Sequence, residues 1–173
     1  MVIIVNGAIG TGKTAVAWEL LNLFERAVML DGDYFAALQP FSIFTPSDLA
    51  YVYEGLAHHI KFHCDHGFEH FIINYVFETG AELEKLEGFL PEIVGPVYKC
   101  LLHCQQNERD RRIRKRNNED IEWEITRSAQ LTEILQNSNR DGSLGPQVDT
   151  TTLSVQEVAQ RVFSSTNNKN QKA

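Results

Sequence analysis

Residues 2–14 read VIIVNGAIGTGKT, and this stretch decides the fold. Val2 to Val5 is a short apolar run that stops at Asn6. Gly7, Ala8, Ile9, Gly10, Thr11, Gly12, Lys13 and Thr14 then fit G-x-x-x-x-G-K-[ST], and an apolar helical pattern begins at Ala15. A buried strand, a glycine-rich turn and a helix start follow one another in the order such a phosphate-binding loop requires. Glycines let the backbone curl so that successive N–H groups point inward at phosphate oxygens. The helix N-terminus adds its partial positive charge. Lys13 is placed to reach the β- and γ-phosphates, and the Thr14 hydroxyl to bind Mg²⁺. A glycine-rich turn that binds nothing is disfavoured, because pattern, context and position agree.

The chain has 173 residues, a length that suits one domain with a sizeable core. Its net charge of −7 and pI of about 5.3 speak against nucleic acid or an anionic membrane as the main partner. Cys64, Cys100 and Cys104 lack metal-ligand spacing. Cys100 and Cys104 lie within one apolar run that reads as a strand and are expected to be buried thiols, and the odd count with no signal peptide points to a cytoplasmic protein. No apolar run nears the length of a membrane span.

Working outward, strands are expected at 2–5, 27–30, around 71–73, at 97–102 and at 147–151. Helices are expected at 13–25, 48–64 with Ser47 as cap, 80–89, 107–116, 121–136 and 155–163. Residues 34–38 read as a helical turn, 40–46 as a loop rich in Phe, and 117–120 as a polar break. Residues 1–163 form one domain with a lid at about 109–120, and the tail from Ser164 reads as disordered. Strands alternating with helices imply an α/β fold with a parallel sheet and helices on both faces. In such sheets ligands bind at the carboxyl ends of the strands. That rule gathers the P-loop, Asp31 and Asp33, and residues Asn74 to Glu78 around one crevice.

Phosphoryl transfer to a hydroxyl needs a phosphate cradle, a metal, a proton acceptor and cations on the transferring oxygens. Asp31 and Asp33 follow strand 2. Two apart on extended backbone, they point the same way; one is placed for a Mg²⁺-bound water and the other for the acceptor hydroxyl. Six of the sixteen Lys and Arg lie within residues 109–116. Arg109, Arg112 and Arg116 share one helical face. A lid closing over ATP phosphates is favoured over a solvated face or a nucleic-acid patch, with Arg112 and Arg116 as its phosphate ligands and the other basic residues solvated. From Ala27 to Tyr98 there is no arginine, only Lys61 and Lys85. That segment is instead aromatic (Tyr34, Phe35, Phe41, Phe44, Tyr51, Tyr53) and acidic. An acceptor bearing phosphate needs an arginine grip, so an uncharged or cationic acceptor fits better. His59, His63 and His66 share a helix face, but nothing else supports a metal there.

With these residues in hand, the chain resembles the small P-loop kinases of the nucleoside-monophosphate-kinase fold, nearest the branch of shikimate kinase, gluconate kinase and chloramphenicol phosphotransferase. The resemblance rests on Gly7 to Thr14, Asp31-Gly32-Asp33 after strand 2, the arginine-rich stretch after strand 4, and Asp149-Thr150-Thr151 before a capped helix. It implies a three-layer fold with a five-stranded parallel sheet of order 2-3-1-4-5, ATP with Mg²⁺, and transfer to a small-molecule hydroxyl. It also implies Asp33 as base and Asp31 near the metal. Many P-loop proteins carry an aspartate at the end of strand 3, where this chain has Asn74, which moves the metal-side carboxylate to Asp31. No acceptor motif of the named kinases is matched. The expected activity is therefore an ATP-dependent kinase with an unidentified, non-phosphorylated small-molecule acceptor. A nucleoside or nucleotide kinase and a non-catalytic ATP-binding regulator are the alternatives.

Overall fold

β1 (Val2–Gly7) is buried along its whole length. Its alternate side chains serve two cores. Val2 and Ile4 face the layer built by α3 (Pro46–Asp65), α4 (Gly80–Phe89) and α6 (Ile121–Ser138), whereas Ile3 and Val5 face α1 (Lys13–Leu21) and α7 (Val155–Asn170). Burying these four side chains is worth on the order of 6–12 kcal/mol in gross transfer energy, comparable with the net stability of a whole domain. The strand that launches the P-loop is thus firmly anchored in both cores.

The computed structural model describes residues 1–40, 42, 45–116 and 118–170, the last four by backbone alone. The remaining elements are β2 (Ala27–Asp31), α2 (Gly32–Phe35), β3 (His70–Asn74), β4 (Val97–His103), α5 (Gln106–Arg116) and β5 (Gln147–Asp149). All strand pairs are parallel, in the order β2-β3-β1-β4-β5. This is the expected three-layer P-loop architecture, with helices on both faces. The register aligns Asp31 with Asn74 and Asn74 with Val5, so β2 and β3 end together at the crevice beside β1, which runs on to Gly7. No helix among the described residues is long and apolar enough to cross a membrane.

Several boundaries differ from the sequence reading, and the helical turn expected at 34–38 is α2 at Gly32–Phe35; four of the differences have a clear local reason. α1 stops at Leu21 rather than Glu25; the chain then tightens into turns that bring Phe24 onto His70 and Phe163, with ring centroids 4.7 and 5.1 Å away. α3 is capped by Thr45, not Ser47, because Pro46 takes the first helical position, where its missing N–H costs nothing. β5 ends at Asp149, whose Oδ1 accepts from the N–H and hydroxyl of Thr151 and pulls the chain out of the sheet. α7 continues past Phe163 to Asn170: Thr166 is still buried, so the expected tail from Ser164 is helical through 170. Phe41, Phe44, Asn117 and residues 171–173 lie outside the described residues.

Candidate active site

The P-loop leaves β1 under tight constraint. Gly10 has φ +84°, and a Cβ there meets Arg109 Cγ at 2.7 Å; Gly12 caps α1 with φ +96°. Both positions need glycine, one for the packing of α5 and both for the left-handed turn. The Thr11 hydroxyl donates to the Ala8 carbonyl at 2.9 Å, closing the turn on itself. Arg109 is buried and donates through Nη1 to the Cys104 carbonyl at 3.0 Å. It holds α5 on the loop, and the expectation that it is solvated is corrected by that packing.

A cavity of about 350 Å³ opens from the loop. Lys13, Thr14, Asp33, Asn74, Tyr75, Arg116, Trp123 and Arg127 line it, together with Glu78 and Glu82. Lys13 Nζ donates to the Ala8 carbonyl at 3.3 Å. Burial lowers its pKa to about 8; Arg116 pushes the same way, against the pull of Asp33 and Asp31. Burial likewise raises the pKa of Asp33, helped by Asp31 and opposed by Lys13. Asp33, Lys13 and Arg116 all line this one cavity.

Asp31 and Asp33 do not lie together on extended backbone as expected. Asp31 ends β2 and caps the short α2, its Oδ1 accepting the Asp33 N–H at 3.0 Å, and this turn swings Asp33 into the cavity. Gly32 sits against the Tyr75 ring, where no Cβ fits. Asn74 Nδ2 donates to Asp31 Oδ2 at 2.6 Å and to Thr14 Oγ1 at 3.1 Å, which links the expected metal residues through one amide. The Asn74 Oδ1 is buried without a partner. A hydroxyl, a carboxylate and an unsatisfied amide oxygen are hard oxygen donors, which suit Mg²⁺. Among the described residues there is no cluster of three His, Cys, Asp or Glu able to hold a metal, a pattern compatible with an ion held by one or two protein oxygens and phosphates.

Arg112 lies apart from Arg116. Its Nη2 donates to the Thr150 carbonyl at 2.7 Å, Nη1 to Thr150 Oγ1 at 3.2 Å, and Nε to Glu108 Oε1 at 2.8 Å. It lines an outer recess with Gly12, Ala15 and Ser154 on the far flank of the loop. Glu108 is held well below the usual carboxylate range by hydrogen bonds from Arg111 and Arg112.

Sequence reasoning did not anticipate three cavity residues, Arg127, Glu82 and Trp123. Arg127 comes from α6 and pairs with Glu78, so the pocket does contain an arginine even though 27–98 does not. Glu82 accepts the Glu78 N–H at 2.7 Å, and burial raises its pKa. Tyr75 and Trp123 are the cavity aromatics. Tyr53 is core, and Tyr34 and Tyr51 are exposed. Glu78 stood in the expected crevice segment, but nothing local marks Arg127 or Trp123 within an ordinary amphipathic helix. His58, His59 and His66 each bond a backbone carbonyl one helical turn earlier, and none lines the cavity. A wider hollow of about 740 Å³ lies along β5 and α7, and it holds none of the expected site residues.

The sequence matches no family model and no curated protein. Solved structures are similar over nearly the whole chain. A gluconokinase from Sinorhizobium meliloti has a TM-score of 0.69 at 16% identity, covering 98% of this chain and 93% of its own. A tunicamycin resistance protein from Deinococcus radiodurans has a TM-score of 0.66 at 18% identity, covering 95% and 94%. Shikimate kinase from Acinetobacter baumannii, in complex with shikimate, has a TM-score of 0.64 at 17% identity, covering 97% and 93%. The chain has the fold of the small-molecule P-loop kinases. At such identities the likeness concerns the fold, and the chemistry has to be argued from the cavity.

Proposed function

We propose that the protein is an ATP-dependent phosphotransferase that moves the γ-phosphoryl group to a hydroxyl of a small, non-phosphorylated molecule, as a cytoplasmic enzyme with no nucleic-acid or membrane partner. The observation that carries this reading is the convergence of Asp33, Lys13 and Arg116 on the cavity that opens from the P-loop. Backbone N–H groups from Gly7 to Thr14 cradle the phosphates. Lys13 and Arg116 stabilise charge on the transferring oxygens. The acceptor oxygen forms its bond to phosphorus as the bond to the β-phosphate oxygen breaks, ADP leaves, and Asp33 takes the hydroxyl proton. The raised pKa of Asp33 suits a base better than that of an ordinary carboxylate. Thr14 and Asp31, with Asn74 beside them, would hold Mg²⁺, which would supply charge neutralisation on the phosphates. The recess beside Arg112 offers a place for the nucleoside.

A nucleotide kinase needs a free cation for the acceptor phosphate, and Arg127 is paired with Glu78. A non-catalytic nucleotide binder has no use for a carboxylate beside Lys13. The test is an ADP-release screen over neutral and amine-bearing alcohols, nucleosides and phosphorylated compounds, followed by Asp33→Asn. The variant is expected to keep ATP affinity while transfer falls by about 10²–10⁴-fold. Unchanged transfer overturns Asp33 as base, and ATP binding without any acceptor-dependent turnover overturns the kinase reading.

A further inference from the structure

We infer that Glu78 is a built-in counter-ion that occupies the anion position of the acceptor pocket, and that through its pairing with Arg127 it restricts the acceptor to alcohols carrying no anionic group. This rests on the phosphotransferase reading above and names its substrate class.

Arg127 projects from α6 into the acceptor end of the cavity, with its side chain 13% exposed. A guanidinium so placed is suited to grip a substrate carboxylate or phosphate in two-point fashion. Here it is joined to Glu78 from the opposite wall. Glu78 is not a swinging surface partner. Its N–H is held by Glu82, and the preceding residue, Phe77, is bonded through both backbone groups to the buried Asn6 side chain. An anion entering the pocket must displace the Glu78 carboxylate, and this leaves that carboxylate unpaired near Glu82. Breaking a part-buried pair in this way is costly. The acceptor end then holds Asp33, Glu78 and Glu82 against the single guanidinium of Arg127, since Lys13 and Arg116 face the phosphates. This balance repels anions and tolerates neutral or protonated-amine groups, for which the Tyr75 and Trp123 rings add apolar and cation-compatible wall.

The test is calorimetric titration of the protein saturated with MgADP, which keeps the P-loop occupied. The probes are acetate, glycolate and gluconate, chosen over a range of sizes so that shape does not decide the outcome. The wild type is expected to bind none of them measurably. Glu78→Gln and Glu78→Ala both vacate the pair, and affinity for at least one carboxylate is expected to rise about tenfold or more, the scale of a charge-assisted contact. Adding Arg127→Gln is expected to abolish the gain. Carboxylate binding by the wild type that depends on Arg127 overturns the proposal, as does the absence of any gain in both Glu78 variants. A separate titration of each variant with MgADP, before saturation, reports that it is folded. A flat carboxylate titration in both Glu78 variants, while the wild type transfers phosphate, sinks this proposal alone. Failure of every acceptor in the release screen sinks the phosphotransferase reading and leaves the titration interpretable.

Discussion

The side chain of Asn6 closes on both backbone groups of Phe77: Nδ2 donates to the Phe77 carbonyl at 2.8 Å, and Oδ1 accepts its N–H at 3.1 Å. The same Oδ1 accepts the Gly7 N–H at 2.7 Å. One buried amide therefore ties the first residue of the P-loop to the loop that carries Tyr75 and Glu78. Asn6→Ala leaves two N–H groups and a carbonyl without partners in a buried place. Unfolding by urea is expected to show a loss of about 2–4 kcal/mol. Because the tie joins the nucleotide and acceptor sides, the KM values for both substrates are expected to rise together. A variant that changes only one of them shows that Asn6 does not couple the two sides.

The pKa shifts of Lys13 and Asp33 set the two limbs of the pH profile. As the proposed base, Asp33 works only when ionised, and burial raises its pKa. Transfer is therefore expected to fall as pH drops through a value above the ordinary carboxylate range. Lys13 grips phosphate only when protonated, and its pKa in the free protein is lowered to about 8. The kcat/KM profile, which reports the free enzyme, is expected to fall again as pH rises through about 8. In kcat the alkaline limb moves upward, because bound phosphates favour the charged lysine. Lys13→Arg keeps the charge at all these pH values and is expected to remove the alkaline limb. A limb that stays at the same pH in that variant belongs to another group.

Arg112 and Arg116 lie on one helix yet face different neighbours, so their truncations are expected to separate. Arg116 lines the cavity and acts electrostatically on Lys13. Arg116→Ala is expected to lower kcat by about 10²–10³-fold, the scale of removing one transition-state donor, with little change in Tm. Arg112 holds Thr150, whose hydroxyl in turn donates to the Thr11 carbonyl at 3.0 Å. Arg112→Ala is expected to raise the nucleotide KM and lower Tm, with a smaller effect on kcat. Thermal melts and steady-state kinetics on the same preparations distinguish the two. Equal kcat losses in both variants show that Arg112 also reaches the phosphates.

Local chemistry was legible at the P-loop, though not in the turn that separates Asp31 from Asp33. Gly7 to Thr14 marks its own strand, turn and helix, and the alternation of apolar runs with helical stretches led to the parallel sheet. Helical spacing placed Arg109, Arg112 and Arg116 on one face, but their partners depend on how α5 lies across the P-loop. Arg109 meets Gly10 and the Cys104 carbonyl, Arg112 meets Thr150, and only Arg116 reaches the cavity.

The limit is clearest at the acceptor. Reading 27–98 as free of arginine was correct and yet incomplete, because a pocket is lined by whatever the fold brings to it. Arg127 lies 49 residues from Glu78 and Asn6 lies 71 from Phe77. No periodicity encodes such distances, since each depends on where a helix packs or a strand ends in the sheet. By itself, then, the sequence determined a phosphate-binding loop in a parallel α/β fold, because a loop's conformation follows from glycines and hydrogen-bonding groups close along the chain. The tertiary structure alone decided that Asp33 turns into the cavity that Lys13 lines, that Asn74 bridges Thr14 and Asp31, and that Glu78 pairs with Arg127, because these placements arise only when the carboxyl ends of adjacent strands and the helices beside them are brought into register.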